Sequence, residues 1–517
     1  MVGVDCDPSP FTHPALTTTV YQGVVPKPRV YYHLGLSPDI KYVVHNSSIV
    51  NLTRAVVSRV LLHKGAPVVR PSRSVKDCLS DFRIRLCKHL PSTIPVDHSA
   101  FVELYKDRRK EVYRKAAESL LLQPLERRDS YLKAFVKAER ICVEVKSDPD
   151  PRVIQPRDPR YNVELGCYLK PIEHSLYQAV ANVFKERTIF KGLNAEQSGV
   201  AMRKKWDKYL RPVAIGLDAS RFDQHVSKEM LQWEHSIYRR VFGNDPWLMK
   251  LLDWQINNVG FGYTYDGRLK YKVEGCRMSG DMNTALGNCL LMCAMVYTYC
   301  KEMGIKKYSL ANNGDDCIVI MERRFLNRFQ ARLKDWFLEL GFQMKVEDPV
   351  YEFEHIEFCQ THPVWTPTGY RMVRNFPNSL SKDNIAIKPL DTPGAWAKWL
   401  RAISEGGLAL TGGIPVAQDF YACCLRAAKT VPGYDKRSKF LDSTLENSLY
   451  YLSRGMHTGY SEVHPYTRYS YWIAFGVTPD QQVAYESYFQ KFDLKFDPRS
   501  REHPLTMPLA FKNPLGH

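Results

Sequence analysis

A polar tripeptide, Gly314-Asp315-Asp316, interrupts the apolar stretch Tyr308-Ser-Leu-Ala-Asn-Asn-Gly-Asp-Asp-Cys-Ile-Val-Ile320. The apolar residues on both sides predict two short strands, and a turn between them would put two adjacent carboxylates at the tip of a hairpin. Such a tip suits metal ions. Mg²⁺ takes a few carboxylates together with phosphate oxygens and water, so acidic residues on a rigid turn suit a site that also receives a nucleotide triphosphate. By itself the tripeptide arises by chance in roughly one chain in ten of this length, and its weight comes from what precedes it.

Upstream, Val213-Ala-Ile-Gly-Leu-Asp218-Ala-Ser-Arg-Phe-Asp223 is an apolar run that ends in an acid, with a second acid five positions later. A buried strand would deliver Asp218 toward the hairpin, and Asp223 would lie past a turn. Asp223, just before Val226-Ser-Lys-Glu-Met, also suits a helix N-cap or a turn. Between the two acidic sites, Ser279-Gly280-Asp-Met-Asn-Thr284-Ala-Leu-Gly-Asn288 leads into an apolar run. Positions 280, 284 and 288 recur at helical spacing, which predicts that Thr284 and Asn288 project from one side of a helix whose other side is core. Asn288 could then hydrogen-bond a hydroxyl held by Asp223. Taken singly, each of these residues also fits the glycine-loosened start of a buried helix.

The order Asp-x4-Asp, Ser-Gly-x3-Thr-x3-Asn and Gly-Asp-Asp resembles motifs A, B and C of viral RNA-dependent RNA polymerases. Lys133-Ala-Phe-Val-Lys137-Ala-Glu-Arg140 and Pro151-Arg152-Val-Ile-Gln-Pro-Arg157 look like the basic fingers segment, motif F. Gly341-Phe-Gln-Met-Lys345-Val-Glu resembles motif D, and Ile356-Glu-Phe-Cys-Gln-Thr-His-Pro-Val-Trp365 resembles motif E. The wording is similar to the plus-strand plant virus replicases of the tombusvirus family, including its carmovirus-like branch.

The resemblance implies an α+β right-hand polymerase with an antiparallel palm sheet. Its implied divisions are an N-terminal extension and fingers over 1–207, palm over 208–228, a fingers insertion over 229–270, palm over 271–375 and thumb over 376–517. It also implies two-metal nucleotidyl transfer, with Asp218, Asp315 and Asp316 holding Mg²⁺ or Mn²⁺ and Lys345 as a proton donor to pyrophosphate. Asp223, Ser279, Thr284 and Asn288 would hold the ribose of the incoming nucleotide. Lys137, Arg140, Arg152 and Arg157 would clamp its triphosphate, with Arg152 foremost. Partners would be template RNA, NTPs, a viral auxiliary replicase protein and host factors, at membrane-associated replication complexes in the host cytoplasm. Relatives of this kind carry membrane-targeting sequence ahead of the polymerase, so the chain is expected to be the polymerase part, reaching membranes through such a segment or a partner. A reverse transcriptase would share the acids but needs a bulky side chain excluding the 2′-hydroxyl, and an RNA-binding scaffold would share only the charge.

Composition agrees with this class. With 517 residues, 44% hydrophobic and 25% charged, the chain has enough apolar material for several subdomains. Seventy-two Lys and Arg against 55 Asp and Glu leave +17, a balance that attracts polyanions. Thirteen scattered cysteines without a Cys-x2-Cys pair read as reduced thiols rather than a disulfide framework or zinc site. No segment reaches the length of a membrane span, and there is no signal-peptide pattern. Elsewhere the pattern predicts a basic helix over Phe101–Leu122, a hairpin turning at Asp266-Gly267, and one helix carrying Phe325, Phe329, Leu333, Trp336, Phe337 and Leu340 that stops at Gly341. Tyr450-Tyr-Leu-Ser-Arg and Tyr466-Thr-Arg-Tyr-Ser-Tyr-Trp472 interleave aromatics with Arg, which suits stacking on bases or ribose, although most buried Tyr and Trp are simply core.

Overall fold

The strand ending near Asp218, Pro212–Ala219, lies inside a four-stranded antiparallel sheet ordered Tyr308–Asn313, Asp316–Glu322, Pro212–Ala219, Met344–Val346. The computed structural model describes residues 2–34, 42–142, 147–387, 389–432, 449 and 452–497. Both faces of this sheet are covered, which is why its strands read as continuous apolar runs instead of alternating ones. Val213, Ile215, Leu217, Cys317, Val319 and Met321 enter the largest core. Ala214, Ala311, Ile318 and Ile320 face a second core with Phe190, Met202, Trp206 and Phe353.

Helix Thr284–Glu302 runs through the largest core with fourteen buried residues. A helix apolar on nearly every side has to be surrounded by protein, and Ser80–Cys87, Pro159–Phe184, Lys228–Val241 and Leu333–Glu339 pack around it. A separate five-stranded sheet is ordered Leu16–Val20, Gly267–Glu274, Asn257–Thr264, Leu132–Val136, Val153–Ile154. Its core, around Leu52, Val56, Leu132 and Tyr271, brings the 132–157 segment against the loop before the buried helix, where Gln155 N–H donates to the Ser279 carbonyl at 2.7 Å. A third core joins helices Phe376–Asp383, Pro393–Thr411, Ala417–Lys429, Pro465–Phe475 and Pro479–Lys491 through Trp396, Phe420, Tyr421 and Phe489. The architecture is thus mixed helix and sheet. Among the described residues no helix is long and apolar enough to cross a membrane.

Several sequence expectations shift. Packing is continuous across positions 207 and 229. Phe82 and Leu86 from one side, and Met230, Ile237 and Leu251 from the other, enter the same core as the Asp218 strand, and Ile189 bridges Asn312. Strand Ile385–Ala386 pairs with Tyr32–His33, so N-terminal chain also reaches the third core. The hairpin over 257–274 turns at Tyr265-Asp266, with Gly267 already paired to Thr264. A Cβ at Gly267 would lie 2.6 Å from the Thr19 carbonyl of the neighbouring strand, so that glycine serves sheet pairing. The helix expected before Gly341 is two, Leu326–Gln330 and Leu333–Glu339, broken around Arg332, while Gly341 does end the second at φ +87°. Phe101–Leu122 likewise divides into His98–Glu103 and Asp107–Leu122. Tyr450 and Tyr451 lie outside the described residues.

Candidate active site

Gly314 and Asp315 form the two-residue turn between the paired residues Asn313 and Asp316. Gly314 has φ +92°, the value that a tight hairpin turn asks of its first central residue and that only glycine adopts without strain. The turn is held from beneath by Asn312. Its buried amide donates to the Gly314 carbonyl at 2.6 Å and its side-chain oxygen accepts from Gly314 N–H at 3.1 Å.

Asp316 is the register partner of Asp218, and Asp218 is in turn the register partner of Lys345. Three carboxylates therefore meet at one end of the sheet, with an amine on the adjoining strand. Asp218 and Asp315 are accessible and Asp316 is half-buried, an arrangement of a recess open at its mouth. Within it, burial and the neighbouring acids push Asp316 up to about 6, although the Cys359 N–H donates to its Oδ2 at 2.9 Å. Asp315 is also raised, by burial and by Asp218, with Lys191 and Arg152 pulling the other way. Carboxylates so crowded have too little positive charge around them, which is the electrostatic condition for binding a hard divalent cation.

Asp223 lies in a short helical turn, Phe222–His225, and meets Asn288, whose Nδ2 donates to its Oδ1 at 2.8 Å. Burial pushes Asp223 up to about 6, against that hydrogen bond and the charge of Arg277. The other end of Asn288 is fixed. Arg277 Nε donates to its Oδ1 at 2.9 Å, and the same guanidinium pairs with Glu234, both side chains being fully buried. Burial alone would raise the Glu234 carboxyl, yet Arg277 brings it below its ordinary range. Asn283 Nδ2 and Tyr238 Oη also donate to Glu234, at 2.8 and 2.7 Å, so a buried polar network stands behind the Asp223–Asn288 pair.

The loop over 279–283 reaches this pair from the second sheet. Helix Thr284–Glu302 begins at Thr284, so Gly280, at φ +120°, precedes the helix instead of sharing its face with Thr284 and Asn288. The Thr284 hydroxyl donates to the Met278 carbonyl at 2.8 Å and closes the loop on itself. Ser279 is half-buried beside it.

Of the basic candidates, Arg157 is misread by the sequence. Its guanidinium is buried, bonded to both oxygens of Asp281 at 2.6 and 3.1 Å, to Asn258 Oδ1 at 2.8 Å and to the Ser130 carbonyl at 2.7 Å. Those contacts commit it to joining the second sheet to the 279–283 loop, leaving it no reach to a triphosphate. Arg152 is 58% exposed, and among the described residues its side chain has one loose ion pair, with Glu139 at 3.5 Å, an acid that Lys137 shares. Arg140 is half-buried near Arg374, and burial lowers it to about 10.

A family model described as viral RNA-dependent RNA polymerase matches residues 17–497. The chain belongs to that family. The RNA-directed RNA polymerase of Cymbidium ringspot virus is 44% identical over 470 residues, covering 90% of this chain and 56% of that protein. That of tobacco necrosis virus (strain A) is 44% identical over 504 residues, covering 94% and 68%, and that of turnip crinkle virus 42% over 489 residues, covering 93% and 62%. The chain thus spans a little over half the length of the first of these relatives.

Membership of the polymerase family gives a context for residues that sequence reading passed over. Lys191 lies beside the Gly-Asp-Asp turn, its Nζ 2.9 Å from Asn313 Oδ1, and nothing in Phe-Lys-Gly signals that placement. Cys359 supplies a backbone N–H to Asp316, a role no side chain advertises. Arg277 and Asn312 did have a signal, since each sits within three residues of a motif residue and each is a strongly polar group inside an apolar or small-residue run.

Proposed function

We propose that the chain synthesises RNA on an RNA template from NTPs, as the polymerase of a plus-strand RNA virus. The observation that carries this reading is the meeting of Asp218 and Asp316 on adjacent strands, with Asp315 in the turn beside them, next to an Asp223–Asn288 pair oriented by buried groups. In this reading the four-stranded sheet is the palm, the five-stranded sheet the core of the fingers, and the helices beyond 376 the thumb.

The three acids present hard oxygen donors and a surplus of negative charge, a set that fits Mg²⁺ or Mn²⁺. Among the described residues no group of three acidic, histidine or cysteine side chains is already arranged around one ion position, so substrate phosphates and water would complete the coordination. When bound, such ions lower the pKa of the primer 3′-hydroxyl and neutralise the triphosphate.

The protein's own groups do the rest. Asp223 has one oxygen engaged by Asn288 and the other available to accept from a ribose 2′-hydroxyl, so a deoxynucleotide would leave a polar site unpaired, which is how such sites discriminate. Thr284 and Ser279 hold the loop that borders the pair. Arg152, exposed and felt electrostatically at Asp315, would bind the triphosphate, with Lys137 and Arg140 adding charge. Lys345, across from Asp218, would donate a proton to departing pyrophosphate. A viral auxiliary replicase protein, host factors and attachment to host cytoplasmic membranes belong to the same reading.

The test is nucleotide incorporation on a short RNA template by the purified chain and its Asp315→Ala variant, offered NTPs or dNTPs. RNA-templated synthesis from NTPs that disappears in the variant supports the reading. Incorporation of dNTPs alone contradicts it in favour of a reverse transcriptase.

A further inference from the structure

Helix Pro465–Phe475 turns Thr467, Ser470, Tyr471 and Ala474 inward and leaves Tyr466, Tyr469 and Trp472 between 43% and 47% exposed. The outward rings form a row. Tyr466 and Tyr469 have centroids 5.8 Å apart, Tyr469 and Trp472 6.0 Å, and Trp365 extends the row 4.9 Å beyond Tyr466. The row is held firmly, because Trp365 N–H donates to Ser470 Oγ at 2.8 Å, and that hydroxyl donates to Glu354 at 3.0 Å. At the Trp365 end lies an open concavity of about 560 Å³ lined by Arg203, Trp365, Tyr370, His464 and Tyr466. Every one of these five side chains ends in a planar group. Arg203 lies over the rings of Phe353 and Tyr370 at 5.0 and 5.1 Å and keeps 37% of its side chain exposed while pairing with Asp207.

We propose that this aromatic row is a second RNA site, separate from the catalytic carboxylates, which takes a short single-stranded segment by stacking bases on Trp365, Tyr466, Tyr469 and Trp472. Base–aromatic stacking is sequence-tolerant and strong enough to hold a strand. Three features favour RNA over a protein partner. The concavity is lined by planar side chains with no aliphatic one among them, one of these is a part-exposed guanidinium that offers positive charge to a phosphate while Asp207 and the Tyr370 hydroxyl engage two of its nitrogens, and the helix carries no acid in a chain of net charge +17. A row of several rings fits a strand better than a lone nucleotide. The site is also remote. Cys359 contacts Asp316 at one end of the Thr361–Thr366 strand, whereas Trp365 lies four residues past Thr361, roughly 13 Å farther along. An RNA held there stays near the enzyme while the active site is empty, raising its local concentration.

Binding is read without turnover, so the result is independent of the polymerase reading. The full chain is first saturated with a self-annealed primer–template RNA. Fluorescence anisotropy then follows a labelled, unstructured uridine-rich RNA of about twelve nucleotides. The Tyr466→Ala/Trp472→Ala double variant should weaken this binding about tenfold or more with an unchanged salt slope, and Tyr466→Phe/Trp472→Phe, which keeps flat rings, should stay within about twofold of wild type. With 5-iodouridine in the RNA, photocrosslinks should map to Trp365, Tyr466, Tyr469 or Trp472. Unchanged affinity in the alanine variant with crosslinks only elsewhere overturns the proposal. So does equal loss in the phenylalanine variant, because the contact would then not be stacking. Loss of self-association in the alanine variant, with RNA binding intact, would assign the row to a protein interface instead.

Discussion

Arg277 determines which way round the Asn288 amide lies: its Nε donates to Oδ1 at 2.9 Å, leaving the amide N–H for Asp223. A guanidinium has no acceptor, so a flipped Asn288 would set an amide donor against Arg277 and an oxygen against the Asp223 carboxyl. The pair is thereby held in one orientation only. Asn288→Ala should lower NTP-over-dNTP discrimination in kcat/KM by roughly ten- to a hundredfold, the scale on which unpaired polar groups act. Single-nucleotide incorporation kinetics with matched ribo- and deoxynucleotides would check this; unaltered sugar discrimination speaks against the assignment.

Relief of crowding gives Asp315 a distinctive signature. Because burial and Asp218 raise its pKa, its charge is unfavourable in the metal-free fold. Asp315→Asn should therefore abolish incorporation while leaving the metal-free thermal midpoint equal to or above that of wild type. A large drop in the midpoint would show that Asp315 holds the fold together rather than serving a cation.

Asp223 and Asp316, both pushed up to about 6 from 3.8, yield a pH dependence of definite sign. Between about pH 4 and 6 the folded chain retains protons that the unfolded chain has released, so the stability from these groups is present at low pH and lost as pH rises through about 6. Added Mg²⁺ should act in the opposite sense, raising the thermal midpoint at pH 7.5 and losing that effect near pH 5 as the carboxyls protonate. Calorimetric scans with and without millimolar Mg²⁺ test this, and equal increments at both pH values would contradict it.

The Gly-Asp-Asp turn depends on Asn312. Replacing it with Ala leaves the Gly314 N–H and carbonyl without their buried partner, a loss of about 1–3 kcal/mol. Both a lower denaturation midpoint and a reduced kcat are expected, since the turn positions Asp315. A variant with wild-type stability and kcat would show that the backbone alone maintains the turn.

What could be read from the sequence was local. Asp218 and the Gly-Asp-Asp turn lie at abrupt ends of apolar runs, and Asn288 follows a small-residue loop into a long apolar helix, so each pattern contains its own evidence. The supporting groups are tied to partners far along the chain. Glu234 meets Arg277 from 43 residues away, and Cys359 meets Asp316 from 43 residues away. Periodicity also hides breaks. The 325–340 segment keeps helical spacing across its interruption at Arg332 because both pieces bury Phe329, Leu333, Trp336 and Phe337 in one core. The turn falls at Tyr265-Asp266, one residue before the Asp-Gly pair, because sheet pairing at Gly267, rather than local turn preference, sets the register.

Arg152 and Arg157 stand five residues apart in one basic segment, yet opposite consequences follow from their surroundings. Arg157 is enclosed and satisfies Asp281, Asn258 and Ser130. Its replacement by Ala leaves a buried carboxylate without its counter-charge, a destabilisation of about 3–5 kcal/mol, and loosens the 279–283 loop that Asp281 belongs to. Arg152 is exposed, so Arg152→Ala should leave the thermal midpoint unchanged and raise the KM for NTPs about tenfold through loss of a charge-assisted phosphate contact. Measuring thermal midpoint and KM for both variants separates the roles. A destabilised Arg152→Ala, or an Arg157→Ala that is stable but weak in NTP binding, would reverse the assignment of the phosphate contact.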